Sequence, residues 1–364
     1  MDHCEWAERY CWEVAKVTID QVELEQTLNN SIEKQAFSGV ISIRQKDHVL
    51  YARAAGYADR SNKIENSLET RFGIASGTKF FTALAIGKLI EAQKLSFSTR
   101  LKDCIALDFP RYSQEITIRH LLTHTSGIPD YYDEGKIEDV DNFSVSIPWY
   151  ALRGPRDYLA IFPDEAMKFA PGERFSYSNG GYILLGVVIE ELTGMKYQDF
   201  VEQSIFKAIS MNNSGYFALN KLPEKTAMGY VEEEEGWRTN IYNLPVVGAS
   251  DGGAFTTVHD ITALWKAFWG YQILPKELVE IYAQPYVKAE TEGEHTYYGH
   301  GIWICEEKGH NREEYIIGCD PGVSFMSRVN CVNEMQVTVI SNTTDGAWPI
   351  LEDIDTLLKG ESIR

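Results

Sequence analysis

Strand-type alternation at both ends of this 364-residue chain, with helical periodicity between, limits the folds open to it. Near the N-terminus, "FSGVISIRQKDHVLYARAAGYADR" alternates apolar and polar residues on either side of the polar "QKDH", which reads as a β-hairpin. From Thr78 to about Glu91 the pattern becomes helical, and "TIRHLLTH", "PRDYLAIF", "GYILLGVVIEELTG" and "YQDFVEQSIFKAI" continue it. Strands return in "YGHGIWICEE", "EEYIIGCD", "GVSFMSRVN" and "EMQVTVISNT", before a closing helix, "WPILEDIDTLLKG". The two ends are therefore expected to share one antiparallel sheet flanked by helices, an α/β architecture of the α+β type, with an all-helical lobe inserted. We expect one domain over 14–357, made of an α/β lobe (14–75 plus 212–357) and a helical lobe (76–211), after an N-terminal extension over 1–13. A boundary between lobes is a common place for a cleft.

Hydrophobic residues at 44% and aromatics at 12% are enough for a substantial core. A formal charge of -19 repels nucleic acid and anionic membranes, so neither is expected as a partner. The acidic run Glu232–Glu235 reads as a solvated loop face. No segment has the apolar length to span a bilayer, and the start of the chain lacks the basic-then-apolar order of a secretory signal. Cys4, Cys11, Cys104, Cys305, Cys319 and Cys331 form no C-x-x-C pair and read as reduced thiols, which points to the cytoplasm. His295, His300 and His310 lie close in sequence without acidic or thiol residues to complete a metal site. No metal and no cofactor is expected, and the expected partner is a small molecule or peptide.

In "FGIASGTKFFTALAIGKLIEAQKL" a serine, Ser76, precedes a lysine, Lys79, by three residues where an apolar helix begins. The spacing alone fits either a helix cap with a snorkelling lysine or a nucleophile with its proton acceptor. S-x-x-K occurs three times, at Ser31/Lys34, Ser76/Lys79 and Ser204/Lys207, where roughly one or two chance matches are expected. The first and third lie on amphipathic patterns that a solvated helix face explains. Ser76 is flanked by Gly73 and Gly77, and Lys79 is set among Phe80, Phe81 and Leu84. A lysine buried there shifts its pKa downward and becomes a usable base. The helix N-terminus beside it favours an oxyanion.

Among 20 Tyr there is one Y-x-N, Tyr177-Ser178-Asn179, in a loop that ends where a helix begins. An ammonium nearby favours a phenolate, so Tyr177 can take the serine proton; alternatively, Asn179 caps the helix and Tyr177 packs. A rival nucleophile, Ser250, matches G-x-S-x-G across Gly248–Gly252. That motif needs a strand before the serine and a helix after it. Here "YNLPVV" leads in and "GGAFTT" follows, with the next helix starting at the Thr257/Asp260 capping pair. The segment reads as a glycine-rich loop instead.

Together these residues resemble the serine β-lactamase and penicillin-binding protein superfamily, in particular its branch of class C β-lactamases, D-aminopeptidases and β-lactamase-like esterases. The resemblance runs from about Phe37 to about Ser341 and also includes "ITIRHLLTHTSGIPDY", "FAPGERFSYSNGGYILLG", "GGAFTTVHDITAL" and "YGHGIWI". It implies the β-lactamase/transpeptidase-like fold, Ser76 as acyl-accepting nucleophile, Lys79 as its partner, Tyr177 as general base, and Asn179 as a contact to the substrate amide.

The third element of that family, K-T-G or H-x-G, is altered in "YIIGCDPGVSF". The register expected here puts Cys319 in the Lys/His position, Asp320 beside it, and Gly322 as second oxyanion donor, because Pro321 has no N–H. These residues suggest a serine hydrolase of an ester, amide or β-lactam bond, with esterase activity favoured over efficient β-lactam hydrolysis. The alternative is a catalytically weak penicillin-binding or peptide-sensing protein using the same cleft. Tyr131, Trp149 and Trp237 are the aromatic candidates for lining it.

Overall fold

The strand Met335–Ser341 is buried along its whole length, the pattern of a strand covered on both faces. A computed structural model, which describes residues 21–106, 110–137, 139–289, 295–307 and 311–358, places it inside an eight-stranded sheet. The extension over 1–13, the expected domain start at 14, Cys4, Cys11 and His310 lie outside the described residues.

The sheet strands, in chain order, are β1 (Gly39–Gln45), β2 (His48–Ala55), β3 (Val287–Lys288), β4 (Thr296–Tyr298), β5 (Trp303–Glu307), β6 (Asn311–Asp320), β7 (Val323–Asn330) and β8 (Met335–Ser341). Their spatial order is β2-β1-β8-β7-β6-β5-β4-β3, and every neighbouring pair is antiparallel. The pairing of β1 with β8, from Gly39↔Ser341 to Gln45↔Met335, joins the N-terminal hairpin to the C-terminal strands. One sheet from the two ends of the chain is what the alternation implied.

The longer helices are α1 (Gln21–Lys34), α2 (Thr78–Glu91), α3 (Asn179–Thr193), α4 (Val258–Trp269) and α5 (Ala347–Leu358). On one sheet face Ile41, Ile43, Val337 and Val339 meet Leu24 and Leu28 of α1 and Ile350 and Ile354 of α5. The alternate residues Val40, Phe325 and Ile340 face the larger core, which holds α2, α3 and α4. Residues 78–87 of α2 are all buried, as expected of a helix apolar all round. Among the described residues no helix is long and apolar enough to cross a membrane.

Some local expectations need correction. "YGHGIWICEE" is two strands, because Gly301 turns at φ +90° where a Cβ would fall 2.2 Å from that of Ala83. Glu232–Glu235 is the tip of a hairpin pairing Tyr230–Glu233 with Gly236–Thr239 rather than a plain loop. Ser31 is not on a solvated face: it is 4% exposed, and its hydroxyl donates to Asp353 of α5.

Candidate active site

The short strand Phe72–Gly73 pairs with Phe255–Thr256 and delivers the chain into a 3₁₀ turn, Ala75–Gly77, which runs directly into α2. Ala75 has φ +45°, a left-handed conformation that costs energy for a residue with a Cβ. Its neighbours hold it there. The Ala75 carbonyl accepts from Gly253 N–H (3.3 Å) and Thr78 Oγ1 (2.7 Å), and Ile74 N–H donates to the Ala254 carbonyl (3.0 Å). The glycine-rich loop thus clamps the turn that carries Ser76.

Lys79 lies one helical turn beyond Ser76, on the same face. It is 2% exposed, and its Nζ donates to Ser76 Oγ (2.9 Å), Asn179 Oδ1 (2.7 Å) and the Asp251 carbonyl (2.7 Å). Three acceptors use all three ammonium protons. Burial pulls the Lys79 pKa below its ordinary value, against the opposing pull of Asp251, Glu134, Asp320 and Asp130.

Asn179 opens α3, but the cap is Ser178, whose hydroxyl accepts from Gly181 N–H at 3.0 Å. This frees the Asn179 side chain to bridge Lys79 and the Tyr132–Glu134 segment, donating to the Tyr132 carbonyl and to Glu134 Oε1 at 3.1 Å each. Tyr177 lies beside Ser76, with its ring 4.9 Å from Lys79 Nζ. It packs beside Trp303 and His124. The expected phenolate is not favoured. Burial, then the charge of Glu134, pushes Tyr177 well above the ordinary tyrosine value, so the residue is a neutral phenol.

The third element is where the sequence register fails. β5 stops pairing with β6 at Trp303↔Tyr315, and the freed part of β6 runs alongside the Ser76 turn. The residue abutting that turn is Gly318, where a Cβ would fall 2.2 Å from the Ile74 carbonyl oxygen and 2.7 Å from Ser76 N. Gly322 instead sits in the turn between β6 and β7 at φ +72°, with its N–H donated to Thr344 Oγ1 at 2.9 Å. It lines the cavity but does not hold its N–H free opposite Ser76. Cys319 is exposed with its thiol toward the Thr344 carbonyl. Alternation along the strand puts Gly318 and Asp320 on the face opposite Cys319, and Asp320 lines the cavity.

That cavity is bounded by Ser76, Tyr131, Trp149, Asn179, Asp251 and Asp320 among others, and among the described residues no Lys or Arg lines it. Trp237 is not there: it packs against Tyr230 and lies under Arg60. Ser250 is fully buried, and its carbonyl, not its hydroxyl, is engaged, by Thr82. Asp251, Glu134 and His124 were not singled out in the sequence. Asp251 belongs to the glycine-rich loop already noted; the other two carry no spacing signal. His124 is 1% exposed, and its Nδ1 accepts the Ser178 N–H at 3.0 Å, which ties the Tyr-x-Asn loop to the core. Among the described residues no group of His, Cys, Asp and Glu is placed to hold a metal ion.

Comparison with known proteins agrees with this fold. A family model described as Beta-lactamase matches residues 24–350. The chain is similar to penicillin-binding protein 4* of Bacillus subtilis, with 34% identity over 212 residues, 57% of this chain and 45% of that protein. It therefore spans less than half the length of that relative. The crystal structure of a penicillin-binding protein from Bacillus halodurans is similar at 41% identity and TM-score 0.85, covering 91% of this chain and 99% of the other. The octameric penicillin-binding protein homologue from Pyrococcus abyssi is similar at 29% identity and TM-score 0.82, covering 94% and 78%.

Proposed function

The chain belongs to the β-lactamase family, and from that premise we propose that it is a serine hydrolase working through an acyl-enzyme on an ester or amide bond. The observation that carries this reading is the buried Lys79 ammonium 2.9 Å from Ser76 Oγ, with its pKa lowered by burial. A capping serine has no use for such a partner. In the proposed reaction the neutral amine form of Lys79, which burial favours, accepts the Ser76 proton as Oγ attacks the carbonyl carbon. Tyr177, a neutral phenol beside Ser76, gives its proton to the leaving group as the bond to it breaks and regains one from the Lys79 ammonium. Water then cleaves the acyl ester by the reverse proton path.

The Ser76 N–H, in the first turn of its helix, has no acceptor within that turn and is one oxyanion donor. A cavity wall without Lys or Arg among the described residues supports esterase activity over efficient turnover of carboxylate-bearing β-lactams.

The test is covalent labelling by a fluorophosphonate and by a penicillin, read by intact-protein mass spectrometry. We expect the wild-type chain to gain the adduct mass and Ser76→Ala to gain none, while Ser250→Ala labels normally. An adduct that persists in Ser76→Ala would end the mechanism. Stoichiometric labelling without turnover of any ester or amide would favour the binding-protein alternative.

A further inference from the structure

Four carboxylates act on Lys79, and three of them already have hydrogen-bond donors. Asp130 accepts the N–H of Tyr132 (3.0 Å) and of Gly180 (3.1 Å). Glu134 accepts the Asn179 amide, and Asp251 accepts the Tyr131 hydroxyl. Asp320 has no hydrogen-bond donor among the described residues, yet it lines the cavity two positions beyond the glycine that abuts Ser76.

Among the described residues Lys79 is the cation that acts on it, through its charge and without a hydrogen bond. The protons of Lys79 are engaged by Ser76, Asn179 and the Asp251 carbonyl. Arg328, on the next strand, is held by Glu313 and Asp355. A carboxylate closed off by substrate without a partner is costly, whereas a substrate N–H₃⁺ supplies both charge and donors.

We infer that Asp320 selects substrates carrying an ammonium group close to the scissile carbonyl. The inference rests on the hydrolase reading above and narrows its substrate class. Burial pushes Asp320 up to about 7 against the opposing pull of Lys79, with Asp251 and Glu134 adding repulsion. A ligand carboxylate would add to it; an ammonium relieves it. This turns the altered third element from a loss into a change of sign, with an acid in the pocket where relatives by resemblance present a base or a hydrogen-bonding ring.

The experiment compares the benzyl esters of D- and L-alanine with benzyl isobutyrate, in which a methyl replaces the ammonium, by release of benzyl alcohol at pH 7. We expect kcat/KM for at least one alanine ester to exceed that of the isobutyrate by about tenfold or more, the scale of a charged hydrogen bond. Asp320→Asn should lower that ratio by about tenfold, and Asp320→Glu should restore part of it. A ratio at or below one in the wild-type protein, or one that Asp320→Asn leaves unchanged, overturns the inference. Hydrolysis of the isobutyrate without preference for alanine sinks the inference alone. If no ester is hydrolysed and no fluorophosphonate adduct forms, the hydrolase reading falls and takes this inference with it.

Discussion

Asp320 binds its proton more tightly in the folded chain, at about 7, than at its ordinary value of 3.8. The unfolded chain therefore releases that proton first, and stability declines as pH rises from about 4 to about 7. Below that window the carboxyl is neutral in both states and costs nothing. Asp320→Asn removes this dependence, so its stability advantage over wild type should grow by roughly 2–3 kcal/mol between pH 5 and pH 8. Urea midpoints of the two proteins at the two pH values measure the difference directly. An advantage that stays constant with pH would mean that the carboxylate is not held in the environment described. The same residue then carries an instability that a cationic substrate relieves, as functional groups in clefts commonly do.

At the scale of the element, the site depends on how closely β6 approaches the turn before α2. Gly318 permits that approach, since the nearest atoms to a Cβ there are main-chain atoms of Ile74 and Ser76, which have no rotamer with which to yield. Gly318→Ala should cost about 1–3 kcal/mol, as overpacking does. It should also slow fluorophosphonate labelling of Ser76 by at least about tenfold, because strand and turn must separate where the oxyanion is held. Gly154→Ala is the control: a Cβ there meets nothing nearer than 3.8 Å, and stability and labelling should remain near wild type. Equal labelling in the two variants would show that the close approach has no part in the reaction. Ala75 makes a related point, since its left-handed backbone is held by Gly253 and Thr78, members of two different elements.

For the whole molecule, the sheet separates the catalytic core from a second core beneath α1 and α5. Leu28 is fully buried in that second core, on the face away from Ser76. Leu28→Ala should destabilise the protein by about 2–5 kcal/mol through lost burial and the cavity left behind. The labelling rate per folded molecule should not change. Urea denaturation together with a labelling time course under native conditions checks both statements, and a slowed rate at full folding would mean that the two cores are coupled through the sheet.

Much of this was legible from local pattern. The helix from Thr78 to Glu91 has the bounds its apolar run implied, because a helix buried all round needs no particular partner to be recognised. The N-terminal hairpin was legible for the same kind of reason: alternation states which side is inside. Ser76 and Lys79 meet because three residues are close to one helical turn. The glycine at the third element was misassigned because register is not a local property. A strand has period two, and only the arrival of β6 beside the Ser76 turn decided that Gly318 makes the close approach and that Asp320 faces inward. Asp251 lies 172 positions from Lys79 in the chain yet supplies one of its three acceptors. Composition and periodicity determine which segments are buried and what shape they take. Which distant carboxylates and carbonyls surround one ammonium is decided only when the sheet closes across both ends of the chain, since loop contacts have no period to reveal them.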